Sequence, residues 1–153
     1  LVQDCVIETD MELLIPEDYV SNISERLSLY SKLDEIKEEK ELDKFRLEMR
    51  DRFGPVPERV KALFETVELR WMAEKLGFEK LALKNEQMKC YFVSSKSDAY
   101  FSSPIFMKII NFIQSKGRYC KIKETKDRLI LVVKEVDSIQ KAKIWLSEMV
   151  ISK

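Results

Sequence analysis

Histidine is absent from this chain of 153 residues. Its absence removes the usual proton shuttle at neutral pH, the commonest transition-metal ligand and any serine–histidine nucleophile. Glycine is nearly absent as well. The three glycines stand at 54, 77 and 117, each just after a segment with helical periodicity, so no glycine-rich phosphate loop can be written. Cysteine is sparse and odd in number. Cys5, Cys90 and Cys120 lie far apart with no C-x-x-C pair, a poor zinc set and a poor disulfide framework. Cys90 and Cys120 fall in segments that read as strands, where a free thiol behaves as a small buried hydrophobe, and a reducing, cytoplasmic setting is expected. No apolar run approaches the roughly 18 residues that a membrane-spanning helix needs. The opening Leu1-Val-Gln-Asp lacks the basic flank and long apolar stretch of a signal peptide, and a start on leucine reads as a piece of a longer protein.

Net charge is missing too, with 27 basic and 27 acidic residues, but the balance is uneven along the chain. Residues 1–52 carry 15 acidic and 8 basic side chains, whereas residues 53–153 carry 12 acidic and 19 basic. One acidic helical surface and one basic surface are therefore expected. Paired carboxylates at Asp34/Glu35 and Glu38/Glu39 sit in a charge-rich joint and read as solvated groups, not as a general acid–base pair. The chain is expected to be non-catalytic, with no cofactor and no metal.

Residues 1–153 are one domain's worth of chain, with a helical front over about 17–77 and an α/β part over about 78–153. A short strand is expected within Cys5–Ile15. From about Val20, apolar residues recur at Val20, Ile23, Leu27, Tyr30 and Leu33, and Ser21 or Asp18 could cap this first helix. A second helix is expected over Glu39–Phe53, with Leu42, Phe45, Met49 and Phe53 on one side. A third, from Pro57 to Leu76, buries Val60, Leu63, Phe64, Val67 and Trp71. Between them, Gly54 suits a helix C-terminus and Pro57 suits the first helical turn, where its missing N–H costs nothing.

Beyond Gly77 the texture changes. Phe78–Leu83 and Met88–Val93 read as a hairpin around Asn85-Glu-Gln, and Tyr119–Glu124 and Leu129–Lys134 as another around Thr125–Asp127. A serine-rich loop over Ser94–Ser103 leads into an apolar helix from Pro104, and Asp137 or Ser138 caps a last helix bearing Ile139, Ala142, Trp145 and Met149. The expected fold is α+β: three helices, then an antiparallel sheet of two hairpins in the order β-β-α-β-β-α, covered by helices.

Two surfaces stand out. Glu41, Lys44, Glu48 and Asp51 fall on the polar side of the second helix; Glu48 and Asp51, three apart, could accept paired hydrogen bonds from arginines of a partner. Lys116, Arg118, Lys121 and Lys123, with Lys126, Arg128 and Tyr119 nearby, cluster around the second hairpin and could contact a nucleic acid. Lysines also guard exposed sheet edges, and without a recognisable reading motif DNA contact is not the first expectation.

The stretches "IPEDYV", "ERLSLYSKL", "ELDKFRLEMRDRFGPVPERV" and "AEKLGFEKL", in that order, resemble the C-terminal domain of the bacterial transcription-repair coupling factors, the Mfd family. From about Met88 onward the resemblance is mainly one of hydrophobic pattern. It implies a parent that is an ATP-dependent DNA translocase, displacing stalled RNA polymerase and recruiting UvrA for excision repair. It implies that this domain clamps the amino-terminal UvrB-like module of the same protein and masks its UvrA-binding surface. That contact would fall on Glu48 and Asp51, facing arginines of the UvrB-like module. Such a domain is regulatory and autoinhibitory. The alternative is a nucleic-acid-contacting module using the hairpin 116–128.

Overall fold

The computed structural model describes residues 2–94 and 96–152. Expectations that touch Leu1, Ser95 and Lys153 fall outside them. The elements run β1 (Val6–Thr9), α1 (Ile23–Glu35), α2 (Glu39–Phe53), α3 (Glu58–Leu76), β2 (Phe78–Lys84) and β3 (Gln87–Phe92). Then follow α4 (Asp98–Phe101), α5 (Pro104–Ser115), β4 (Cys120–Glu124), β5 (Leu129–Lys134) and α6 (Ile139–Ile151). Two compact units result: Glu12–Glu68, and the segment up to Met11 together with everything from Leu69 onward.

In the first unit α1 departs from expectation. Val20 is buried, but it sits in a turn where the Tyr19 and Val20 amides donate to the Pro16 carbonyl, ahead of the helix. The helix itself begins after Asn22, whose side chain accepts the Glu25 N–H at 2.9 Å, so Asn22 and not Ser21 or Asp18 is the cap. A period counted from Val20 therefore finds the buried Leu33 but also takes in exposed residues and passes over Leu29. Leu29 and Leu33 point inward, while Ile23 and Leu27 are 65% and 60% exposed. The α2 helix spans the expected residues and buries Leu42, Phe45 and Met49. Gly54 closes it at φ 91°, a backbone conformation open to glycine without a Cβ clash, and its N–H donates to the Arg50 carbonyl. Tyr19 clasps the same corner, with its hydroxyl donating to the Gly54 carbonyl at 2.9 Å and its ring edge-on to Phe53.

The α3 helix runs across the division between the units, and each part of it buries residues of its own. Val60, Leu63, Phe64 and Val67 belong to the first unit, and Leu69, Ala73 and Leu76 to the second. Trp71, expected in the core, is only half-buried. Gly77 follows at φ 88°, and a Cβ there would overlap the Tyr100 ring, whose hydroxyl donates to the Leu76 carbonyl at 2.7 Å. Glycine is required at that step on two counts.

The second unit is a five-stranded sheet in the order β1-β2-β3-β5-β4. Both hairpins fall where the alternation placed them. Asn85 and Glu86 take positive φ in the first turn, as a two-residue hairpin loop of matching twist requires. The chain returns to β2 only after the whole helical front, so β1 joins it in parallel and the sheet is mixed. Within the serine-rich stretch Asp98–Phe101 forms one short helix. Ser103 caps α5 and Ser138 caps α6 through their side-chain oxygens.

Register fixes which side chains share a face, because cross-strand partners point the same way. One face carries Leu81, Leu83, Met88, Cys90, Leu131 and Val133, all fully buried. The other face carries the alternate residues.

Candidate protein-interaction site

The burial of Leu42, Phe45 and Met49 turns the rest of α2 outward. Glu41, Lys44, Glu48 and Asp51 follow at intervals of three, four and three residues, so they form one stripe along the helix. The first three line a shallow depression of about 300 Å³ with Lys32, Glu35, Ile36 and Phe45. Asp51 lies one turn beyond it and is exposed.

The stripe is less uniformly acidic than composition suggested. Of the α2 carboxylates, Glu39 and Asp43 are held by Arg46 at 3.3 and 2.7 Å, and Arg46 also reaches Glu68 at 3.2 Å and covers the Phe64 ring. Partial burial, and then the negative charge of Glu68, push the Glu39 carboxyl above its ordinary value. Glu41 accepts the Lys37 N–H at 3.3 Å and so ties the joint between α1 and α2. Glu48 sits 3.6 Å from the Lys32 ammonium. Asp51 has no ion-pair partner among the described residues. Next to it, Arg52 is taken by Glu25 and stacks over Phe53.

The last two carboxylates of the helix, Glu48 and Asp51, are therefore the least firmly held. Glu48 keeps 45% side-chain exposure and its only clamp is an exposed lysine, a pairing worth about 0.2–1 kcal/mol. A guanidinium from a partner could displace that lysine and gain a two-point bond. Lys32 is the member of this site that the sequence did not reveal. It lies on a different helix, and no periodicity within α2 reports it.

The second candidate set does not stay together. Lys116 ends α5, and its carbonyl accepts the Tyr119 and Cys120 amides. Arg118 lies over the Tyr119 ring, which in turn packs against Trp145. Lys121 and Lys123 instead share a face of β4, registered with Val132 and Ile130.

The family model of the TRCF domain matches residues 9–102, the part of the chain that holds this stripe. The chain belongs to the TRCF domain family. It is similar to the transcription-repair-coupling factor of Escherichia coli (strain K12), 37% identical over 79 residues, which cover 52% of this chain and 7% of that protein. It is also similar to that of Rickettsia prowazekii (strain Madrid E), 28% identical over 131 residues, which cover 86% and 11%. The chain thus matches about a tenth of the length of these relatives, or less. In fold it resembles a crystal structure of the C-terminal domain of transcription-repair coupling factor, with a TM-score of 0.75 at 16% identity, covering 96% of this chain and 92% of that one. No described helix is long and apolar enough to cross a membrane.

Proposed function

We propose that this chain is a non-catalytic, autoinhibitory interaction module of a transcription-repair coupling factor. Its α2 stripe docks on the UvrB-like module of the same polypeptide and masks the surface that receives UvrA. Glu48 and Asp51 accept arginines of that module. The observation that carries this reading is the pair itself: the last two carboxylates of α2 stand three residues apart on the exposed side, one weakly held and one with no ion-pair partner among the described residues.

The physical logic is a latch. A contact within one polypeptide benefits from a high effective concentration, so a few exposed ion pairs can hold a closed state. Opening follows when a ligand prefers the open state, and RNA polymerase engagement by the parent would supply that preference. In this reading the chain works in the cytoplasm, in transcription-coupled excision repair, and meets UvrA and polymerase only indirectly.

The test is titration of the 153-residue chain with the separate UvrB-like module at low and moderate salt. Saturable binding, weakened by salt and by Glu48→Lys, is expected. Binding indifferent to Glu48→Lys together with Asp51→Lys would remove the stripe from the contact.

A further inference from the structure

The outer face of the sheet carries charge of nearly one sign. Its registered positions place Lys80 beside Tyr91, Ile130 and Lys123 in one row. The next row aligns Ala82, Lys89, Val132 and Lys121, and the third joins Lys84, Gln87 and Lys134. Six lysines thus project from four adjacent strands. Among the described residues the only carboxylate registered with them is Glu8 of β1, 3.3 Å from both Lys80 and Lys84. At the bulge in β2, Glu79 is taken by Arg128 at 3.0 Å. Lys89, Lys121, Lys123 and Lys134 have no ion-pair partner among the described residues.

Edge protection accounts for lysines on β4, which is an outer strand. It does not account for Lys89 on β3, the middle strand, or for Lys80 on β2. Solubility asks for charge but not for a single sign, and opposite charges across neighbouring strands would stabilise the sheet where like charges do not. An electropositive plane kept at that cost suits a polyanion. The amines are spread in two dimensions, about 4.8 Å apart between strands and nearly 7 Å along them, a grid suited to successive phosphates. Tyr91 lies in the first row on the middle strand, half-buried beneath the Lys80 ammonium at 4.9 Å, so a π-face stands among the cations.

We propose that this outer sheet face binds the phosphodiester backbone of a nucleic acid, with Lys89, Lys121, Lys123 and Lys134 as the principal contacts. Val132 and Ile130, both buried, stand between these lysines in the register. Selectivity for sequence is not expected, since lysine ammonium groups position a backbone without reading base edges.

The test is fluorescence anisotropy of the 153-residue chain with a single strand of roughly 20 nucleotides and with the matching duplex, at ~50 and ~200 mM salt. The dissociation constant should rise roughly 10- to 100-fold between the two salts, as for three or four phosphates neutralised. Changing Lys89, Lys121 and Lys123 together to Glu should weaken binding about 10-fold or more, with an unchanged circular dichroism spectrum and melting temperature. Changing Lys116 and Arg118 to Glu, off this plane, should alter it less than about 2-fold. Tighter binding of the single strand, reduced by Tyr91→Ala, or tighter binding of the duplex would each uphold the site and identify the form it takes. The proposal is overturned by undetectable binding at low salt or by loss only in the Lys116 and Arg118 variant. It is equally overturned if polyglutamate of matched length binds as tightly, which would assign the face to an acidic protein.

Discussion

The α2 stripe and the outer face of the sheet are both exposed and both charged, yet they are built on opposite plans. Along α2 the signs alternate, and Arg46, Lys32 and a backbone amide already hold most of the acids. Across the sheet the sign is nearly constant, broken by Glu8, and most of the cations are left without carboxylates. Charge that is satisfied within its own surface offers a partner only an exchange of bonds, and its affinity comes from geometry and tethering. Charge that is unsatisfied attracts at a distance, and its affinity falls steeply with salt. The first plan fits a reversible contact inside one polypeptide. The second fits a mobile polyanion met in solution.

The largest effects should come from the faces opposite these surfaces. Leu42 under the stripe and Leu131 under the lysine plane are both fully buried, so Leu42→Ala or Leu131→Ala should each cost about 2–5 kcal/mol of stability in urea melts. Lys89→Glu or Asp51→Lys on the outer sides should change stability by no more than about 0.5 kcal/mol. If an outer substitution cost as much as an inner one, that side chain would be part of the packing and the contrast between covered and open faces would fail.

Next in size is the effect on binding. Changing Glu48 and Asp51 together to Lys should weaken the contact with the UvrB-like module roughly 10-fold or more, the scale of two lost charge-assisted bonds. The same variant should bind a nucleic acid no more weakly than the parent chain. Reciprocally, the lysine-plane variant should leave the UvrB-like contact intact. Loss of both activities in one variant would show that the two surfaces are not separate.

How much of this was legible in the residues differs between the two regions. The α2 helix was readable to its ends, because Leu42, Phe45 and Met49 keep a 3.6-residue period and Gly54 marks the stop. On α1 the same period joins the buried Leu33 with the exposed Ile23 and Leu27. A buried residue in the turn before the helix, Val20, set the phase of the count, and nothing in the pattern distinguishes it from a helical one. Both hairpins were readable from their alternation and turns, but the parallel pairing of β1 was not, since it depends on a contact across some seventy residues of chain. The lysine plane was half visible. Lys121 and Lys123 are neighbours in sequence, whereas Lys80, Lys89 and Lys134 join them only through strand register. Lys116 and Arg118, with which sequence proximity had grouped them, precede β4 and take no part in that register.

Register has a chemical readout of its own. Cys90 and Cys120 lie on the covered face, each one residue from a lysine of the open face, and a slip by one position would exchange the two sets. Burial pushes the Cys120 thiol up to about 11 and raises Cys90 as well, while burial and then the Glu74 carboxylate push Cys5 up to about 12. A thiol-specific reagent near pH 8 should therefore leave all three unmodified in the native chain and modify all three in denaturant. Because the unfolded thiols ionise near pH 8.5, the stability held in these protonated groups is complete below that pH and declines as pH climbs toward 11–12. Rapid native modification of Cys90 or Cys120 would contradict the register and, with it, the lysine plane.

The smallest effect is the most discriminating for α2. Lys32→Ala removes the ammonium 3.6 Å from Glu48, an exposed pair, and should lower stability by at most about 1 kcal/mol. If the arginines of the UvrB-like module must displace Lys32, its removal should strengthen the contact, by up to about 5-fold at low salt and by less as salt screens the original pair. On a Glu48→Gln background the same Lys32→Ala change should bring no gain, because there the lysine has no carboxylate to compete for. If Lys32 itself touches the partner, the single change would weaken the contact at every salt concentration. The sign of this small shift thus separates a stripe that exchanges bonds from one that simply adds them.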